Sequence, residues 1–299
     1  MFQQQQQQSA TLKDSLHYID ETAYDIWKRF QYVPLKTGLE FIDQVYGIED
    51  RRRQGIGSGQ VVDVCGDVDT SKTECLYHIL IHCIWNEKVG VVYFDHDMKF
   101  DIERIRQLLR KRIRKTLDTS KEEEEEEEAL GRIGLFRSRN TYEFLQDLKR
   151  IRHLFVSGEA RVLMIDSLSA FRWDDLANKS YASTQGQRLL RWFQHFLRDT
   201  SAVVFGVRNI VTNGSSSTSS SSSSDTYPKY WQLIATSRLY LRRATSGKDD
   251  RCEEQGTKTT NECRHSNFEA GWARCIVEPT FVAKFSVGPD GIRTKSMSA

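Results

Sequence analysis

Residues 60–73 read Gln-Val-Val-Asp-Val-Cys-Gly-Asp-Val-Asp-Thr-Ser-Lys-Thr, and this stretch decides the fold. Its first six residues form a short β-rich run, the composition of a buried strand. Gly66-Asp67-Val68-Asp69-Thr70-Ser71-Lys72-Thr73 then keeps the spacing G-x-x-x-x-G-K-[ST] of a phosphate-binding loop, with Ser71 in place of the second glycine. From Lys72 to about Asn86 the chain is helix-like and apolar, so the loop joins a strand to a helix. At such a junction backbone N–H groups and the positive helix end face phosphate oxygens. In this pattern Lys72 reaches the β- and γ-phosphates of ATP and the Thr73 hydroxyl ligates Mg2+.

Outward from the loop, the pattern repeats. Val162-Leu163-Met164-Ile165-Asp166-Ser167 is an apolar strand ending in an acid, and Asp166 is placed to hold the same Mg2+ through water. Strands are also predicted at Val89–Phe94, Ile133–Phe136 and Ala202–Gly206, and helices at Phe100–Lys115, Tyr142–Phe155 and Gln185–Arg198. Strand and helix alternating over short connections imply parallel pairing with helices on both faces. After Trp231 strands follow without helices, at Arg238–Leu241, Arg274–Val277 and Phe281–Val287, as an antiparallel extension at the sheet's edge.

Composition bounds the partners. The 299 residues carry 43 Lys and Arg against 41 Asp and Glu, a formal charge of +2, so any DNA contact must come from a local patch. The best patch is the basic helix running from Arg104 to Lys115, with Arg110 and Arg114 as candidate DNA contacts. No apolar run is long enough to span a bilayer, and the Gln-rich N-terminus lacks the order of a signal peptide. Residues 1–33 read as a tail: a Gln run, then one amphipathic helix carrying Leu16, Ile19, Tyr24, Ile26, Trp27 and Phe30, docked either on its own domain or on a partner. Residues 34–299 form the core, with low-complexity insertions at 119–128, 213–225 and 245–267. The Glu122–Glu128 block is expected to stay solvated because like charges repel. Cys252, Cys263 and His265 lie in a polar stretch without a CxxC pair and read as a surface loop rather than a zinc site.

Pro34-Leu35-Lys36-Thr37-Gly38 through Val45-Tyr46-Gly47 resembles the opening of RecA-type recombinase cores. Ser237–Arg242 and Ala283–Val287 through Ile292 resemble their closing strands. Lys72–His78, Asp95-His96-Asp97, Leu130-Gly131-Arg132 and Ile165-Asp166-Ser167-Leu168-Ser169-Ala170-Phe171 are similar to segments of the eukaryotic recombinase paralogues, the last being the most specific. The resemblance covers Pro34 to Ile292. It implies a RecA-like P-loop ATPase core: a mostly parallel sheet, helices on both faces and a C-terminal antiparallel extension. It puts Asp97 at the catalytic-acid position, where active members use Glu, and Arg208 near the Gln that senses the γ-phosphate. It puts the Ser run at the second DNA-binding loop. It also implies a nuclear DNA repair role, with other recombinase paralogues as partners and the D-type paralogue first among them. The N-terminal helical domain of full-length recombinases is expected to be lacking, and a homo-filament is not expected.

Three departures weigh on activity. Serine at position 71 costs about 1 kcal/mol if its φ is positive. Asp67 and Asp69 bring carboxylates to a loop meant for polyphosphate. Asp97 is one methylene shorter than the usual Glu. The expectation is a subunit of a homologous-recombination complex whose ATP and Mg2+ site is weak or vestigial. The alternative is a DNA-stimulated ATPase that binds single strands itself. A small-molecule kinase would want a cationic lid and a substrate pocket, and neither is legible.

Overall fold

The computed structural model describes residues 34–47, 55–116, 121–210, 228–244, 266–274 and 280–295, with positions 23 and 27. The chain divides into two units, Met1–Val33 and Pro34–Ala299, and the elements that follow belong to the second. Apart from positions 23 and 27, the predicted N-terminal helix lies outside the described residues. So do the Gln and Ser runs and Cys252, Cys263 and His265.

Helix α1 (Glu40–Gly47) precedes β1 (Val61–Gly66). Helix α2 (Lys72–Ile81) continues through a wider π-turn at His82–Asn86 into β2 (Gly90–Asp95). Then come α3 (Ile102–Ile113), α4 (Glu122–Leu130), β3 (Ile133–Phe136), α5 (Thr141–Ser157) and β4 (Ala160–Asp166). Helices α6 (Arg172–Ala177) and α7 (Lys179–Asp199) lead to β5 (Val203–Asn209) and the short α8 (Lys229–Gln232). Strands β6 (Ser237–Arg243), β7 (Ser266–Arg274), β8 (Thr280–Gly288) and β9 (Gly291–Lys295) close the chain. The strands form one sheet in the order β3-β2-β4-β5-β1-β6-β7-β8-β9. Pairing is parallel from β3 to β6 and antiparallel from β6 to β9.

Alternation along the central strands sorts the core into two layers. Val62 and Val64 of β1 and Val203, Phe205 and Val207 of β5 pack with α2 and α3 on one face. Val61, Val204, Leu163 and Ile165 pack with Phe144 and Leu148 of α5 and Leu189, Phe193 and Phe196 of α7 on the other. Burying a side chain such as Phe193 contributes about 2–3 kcal/mol.

Three expectations need correction. The acidic block is not a solvated insertion but helix α4, with Ala129 in the core and the Glu126 side chain only 4% exposed. Glu126 bridges Arg106 (2.7 Å) and Arg110 (2.6 Å), and Glu122 pairs with Arg114 (2.9 Å). Burial works against the Glu126 carboxylate, but the two arginine hydrogen bonds outweigh it and hold its pKa below the ordinary value. Attraction to a basic helix thus defeats repulsion within the block. Second, β6 is not only the first strand of the antiparallel extension, where it pairs with β7, but also lies parallel to β1 in the register Val64↔Leu239. The connection from β5 is long enough for a crossover, and α8 packs Trp231 into the second layer on the way. Third, β7 ends at Arg274, where a strand was expected to begin, and β9 was not foreseen.

Three histidines, His78 and His96 buried and His82 half-buried, give the fold an acid weakness. Burial pushes the pKa of His78 down to about 3 and those of His82 and His96 to about 4. In the unfolded chain an imidazole protonates near 6.5, so between about pH 6.5 and 4 the unfolded state binds more protons. Stability is complete above that window and is lost as pH falls through it, by about 2 kcal/mol per histidine at pH 5. The melting temperature should therefore drop between pH 7 and 5, and His78→Gln should flatten that slope. A melting temperature constant over this range would refute the assignment.

Candidate functional site

The loop between β1 and α2 lies at the carboxyl ends of the parallel strands, where open α/β sheets bind ligands. Its first glycine is fixed by crowding: a Cβ on Gly66 would stand 2.2 Å from the Leu241 carbonyl oxygen and 2.6 Å from Thr70 Oγ1. Thr70 Oγ1 donates to the Asp67 carbonyl (2.8 Å), and the Val68 N–H donates to Asp67 Oδ1 (2.7 Å). Ser71 sits at φ 63°, ψ 27°, the left-handed conformation that glycine adopts freely. Asp69, at φ 58°, is left-handed as well. Two non-glycine residues in this region hold about 1–2 kcal/mol of strain each.

Lys72 is buried, and its Nζ donates to the carbonyls of Gly66 (3.2 Å) and Asp67 and to Thr70 Oγ1 (3.2 Å). Burial lowers its pKa, against the attraction of Asp166. The ammonium is thus wrapped by its own loop. Asp67 and Asp69 are exposed beside it. Arg243, at the end of β6, reaches over to the Asp69 carbonyl (3.3 Å).

The two predicted Mg2+ ligands meet: Thr73 Oγ1 donates to Asp166 Oδ2 at 2.7 Å. Tyr93, one strand over, donates its hydroxyl to the same oxygen at 3.0 Å, a partner that sequence reasoning missed. Burial raises the Asp166 pKa, the hydrogen bonds from Thr73 and Tyr93 oppose this, and the charges of Asp97 and Asp95 add to it. Asp97 lies two residues past the end of β2. The bend that carries it is stitched to β4, since His96 N donates to the Asp166 carbonyl (2.7 Å) and His96 Nδ1 lies 3.0 Å from the Ser167 carbonyl. Asp95 is a structural cap, accepting from Lys99 N (2.8 Å) and Phe100 N (3.2 Å).

A hydroxyl and a carboxylate in contact fit a phosphate-bound Mg2+, and the close packing at Gly66 fits a loop that cradles phosphate. ATP bound there would supply a γ-phosphoryl group for transfer to water. Lys72 would hold the anion, Thr73 and Asp166 the metal, and Asp97 the water side.

Arg208 overturns an expectation. It is buried in the sheet, donating from Nε to Asp63 Oδ1 and from Nη2 to Asp63 Oδ2, both at 2.8 Å. Strand alternation puts it on the Val204–Gly206 face, so its guanidinium serves Asp63 and is not free to sense a γ-phosphate. The Trp231 indole (3.1 Å) and Arg238 Nε (2.8 Å) complete the Asp63 shell. An Asp within Val-Val-Asp-Val-Cys and an Arg within Val-Val-Phe-Gly-Val-Arg are the signals that could have revealed this pair. Arg110 and Arg114, the candidate DNA contacts, are engaged by Glu126 and Glu122. Among the described residues no helix is long and apolar enough to cross a membrane, and no group of three metal-ligating side chains is present.

This strand order, with the Gly66–Thr73 motif after β1 and the Thr73–Asp166 contact, defines a RecA-like core with an antiparallel C-terminal extension. The chain is similar to the mouse protein named DNA repair protein XRCC2, 25% identical over 64% of this chain and 76% of that one. It is similar to the DNA repair and recombination protein RadA of Methanoculleus marisnigri, 25% identical over 71% of each chain. It is also 27% identical to an Arabidopsis thaliana protein named DNA repair protein XRCC2 homolog, over 44% of this chain and 46% of that one. No protein-family model matches. The chain is thus similar to RecA-like recombinases and to proteins named XRCC2.

Proposed function

We propose that this chain is a recombinase-paralogue subunit of a nuclear DNA repair complex that supports homologous recombination and double-strand break repair, with a mainly structural role. The names of its relatives support the repair role. The observation that carries the structural role is Ser71 at φ 63° beside a lysine wrapped by its own loop. The site keeps the architecture of an ATP and Mg2+ site while the loop chemistry works against tight binding. The partners are other recombinase paralogues, the D-type paralogue first, in a one-to-one pair rather than a homo-filament. DNA is met through the complex, to which this chain can add phosphate contacts of its own.

The test is Lys72→Ala. Partner capture and repair function should stay within about twofold of the parent, less than 0.5 kcal/mol. A repair-null phenotype from a folded Lys72→Ala protein would refute the structural role and favour the DNA-stimulated ATPase. Ser71→Gly should tighten ATP binding severalfold. The left-handed φ is present in the free loop, so the gain comes from clearance for phosphate at the missing Cβ rather than from relief of strain.

A further inference from the structure

The ion pairs of α4 redistribute the charge of the basic helix. Glu126 takes Arg106 and Arg110, and Glu122 takes Arg114, so that face of α3 is compensated. The remaining charge turns toward a cleft of about 710 Å3 between the start of α1, the end of α3 and β9. Lys111, Arg112, Arg114, Lys115 and Arg293 line it, against the carboxylates of Glu40 and Asp290. Asp290 is shared by Lys111 (2.5 Å) and Arg293 (2.6 Å). Among the described residues, Arg112 and Lys115 have no carboxylate within ion-pair distance.

Arg112 is poorly satisfied in a second way. Its guanidinium makes only long contacts, to Asn86 Oδ1 (3.5 Å), the His78 carbonyl (3.5 Å) and His78 Nδ1 (3.4 Å). The last is no acceptor. His78 Nε2 accepts from Ile292 N at 2.8 Å, so the neutral ring carries its proton on Nδ1 and turns an N–H toward the arginine. A half-buried guanidinium is thus held at the wall of an open cleft with unused donors.

We propose that this cleft binds phosphate groups of a nucleic-acid backbone, with Arg112 and Lys115 as the principal contacts. The proposal rests on the reading of the chain as a DNA repair subunit. A guanidinium fork suits phosphate oxygens, and the lysine adds a point charge three residues on. An acidic peptide is a poorer fit, because the apolar wall residues Leu39 and Leu108 are 3% and 4% exposed and offer a side chain no anchoring pocket.

The experiment is fluorescence anisotropy of the full chain with labelled single-stranded and duplex oligonucleotides, over about 50 to 200 mM salt. Arg112→Gln with Lys115→Gln should weaken binding at least tenfold at the low-salt end. The slope of log affinity against log salt should become shallower by about 1.4 for a single strand and about 1.8 for a duplex, the loss of two phosphate contacts. Glu122→Gln, which releases Arg114 into the same cleft, should tighten binding and steepen the slope, an outcome that misfolding cannot produce. A slope unaffected by either variant overturns the proposal. Displacement of DNA by inorganic phosphate or polyglutamate at matched ionic strength, as effective as by unlabelled DNA, overturns the nucleic-acid assignment. Capture of the paralogue partner by the same samples reports on the subunit reading separately. Normal capture with an indifferent salt slope removes the cleft alone.

Discussion

Asp63→Asn is expected to destabilise the protein by about 3–5 kcal/mol, the cost of breaking a buried ion pair by removing one partner. Asp63 is fully buried, and its two oxygens accept four hydrogen bonds from Arg208, Trp231 and Arg238. Asparagine keeps one acceptor oxygen but points an NH2 group at guanidinium donors, and no other acid among the described residues is paired with Arg208 or Arg238. The loss would consume about a fifth or more of the stability of a typical domain, about 5–15 kcal/mol. Urea unfolding should show a lower midpoint with an unchanged slope. Because Asp63 joins β1 to β5, β6 and α8, the loss should be global rather than confined to the loop. Adding Arg208→Met to Asp63→Leu should recover part of it, since a well-packed apolar pair can replace a buried ionic one. A midpoint for Asp63→Asn equivalent to less than about 1 kcal/mol of destabilisation would show that the network is not a stabilising centre.

Gly66→Ala is the second large effect, and it strikes stability and site together. The new Cβ would stand 2.2 Å from the Leu241 carbonyl oxygen, a backbone atom of a paired strand that no rotamer change can move. Either β6 shifts away from β1 or the loop lifts off the sheet, at a cost of about 1–3 kcal/mol or more. Lifting the loop would carry Lys72 and Thr73 away from Asp166, so the nucleotide binding proposed for this site should be lost while secondary structure persists. Gly158→Ala is the control, because a Cβ there meets nothing within 4 Å, although its φ of 83° is itself unfavourable to alanine. Equal stability of Gly66→Ala and wild type, with unaltered nucleotide binding, would contradict this account.

Much of the core was legible because it is written in local periodicity. The run Val61–Gly66 and the Lys72–Thr73 pair set strand, loop and helix by spacing alone, and Asp166 announced itself as an acid closing an apolar strand. Helix α4 was illegible for a physical reason: seven consecutive glutamates look self-repelling until their neighbours are known. The neighbours are Arg106, Arg110 and Arg114, and only the packing of α4 on α3 brings them within 2.6–2.9 Å.

The sequence by itself determined the α/β class, the place of the phosphate-loop motif and the identity of its departures, since Ser71, Asp67 and Asp69 are read directly from the motif. The tertiary structure alone decided which charges are spent. Arg208 belongs to Asp63, 145 residues away in sequence, and Arg110 belongs to Glu126, whereas Arg112, one turn from neither partner, is left facing a cleft. The reason is that local periodicity fixes which face of an element a side chain leaves from. What that face meets is set by the pairing of distant strands and helices, and a charge is neutralised by whatever lies within about 4 Å in space.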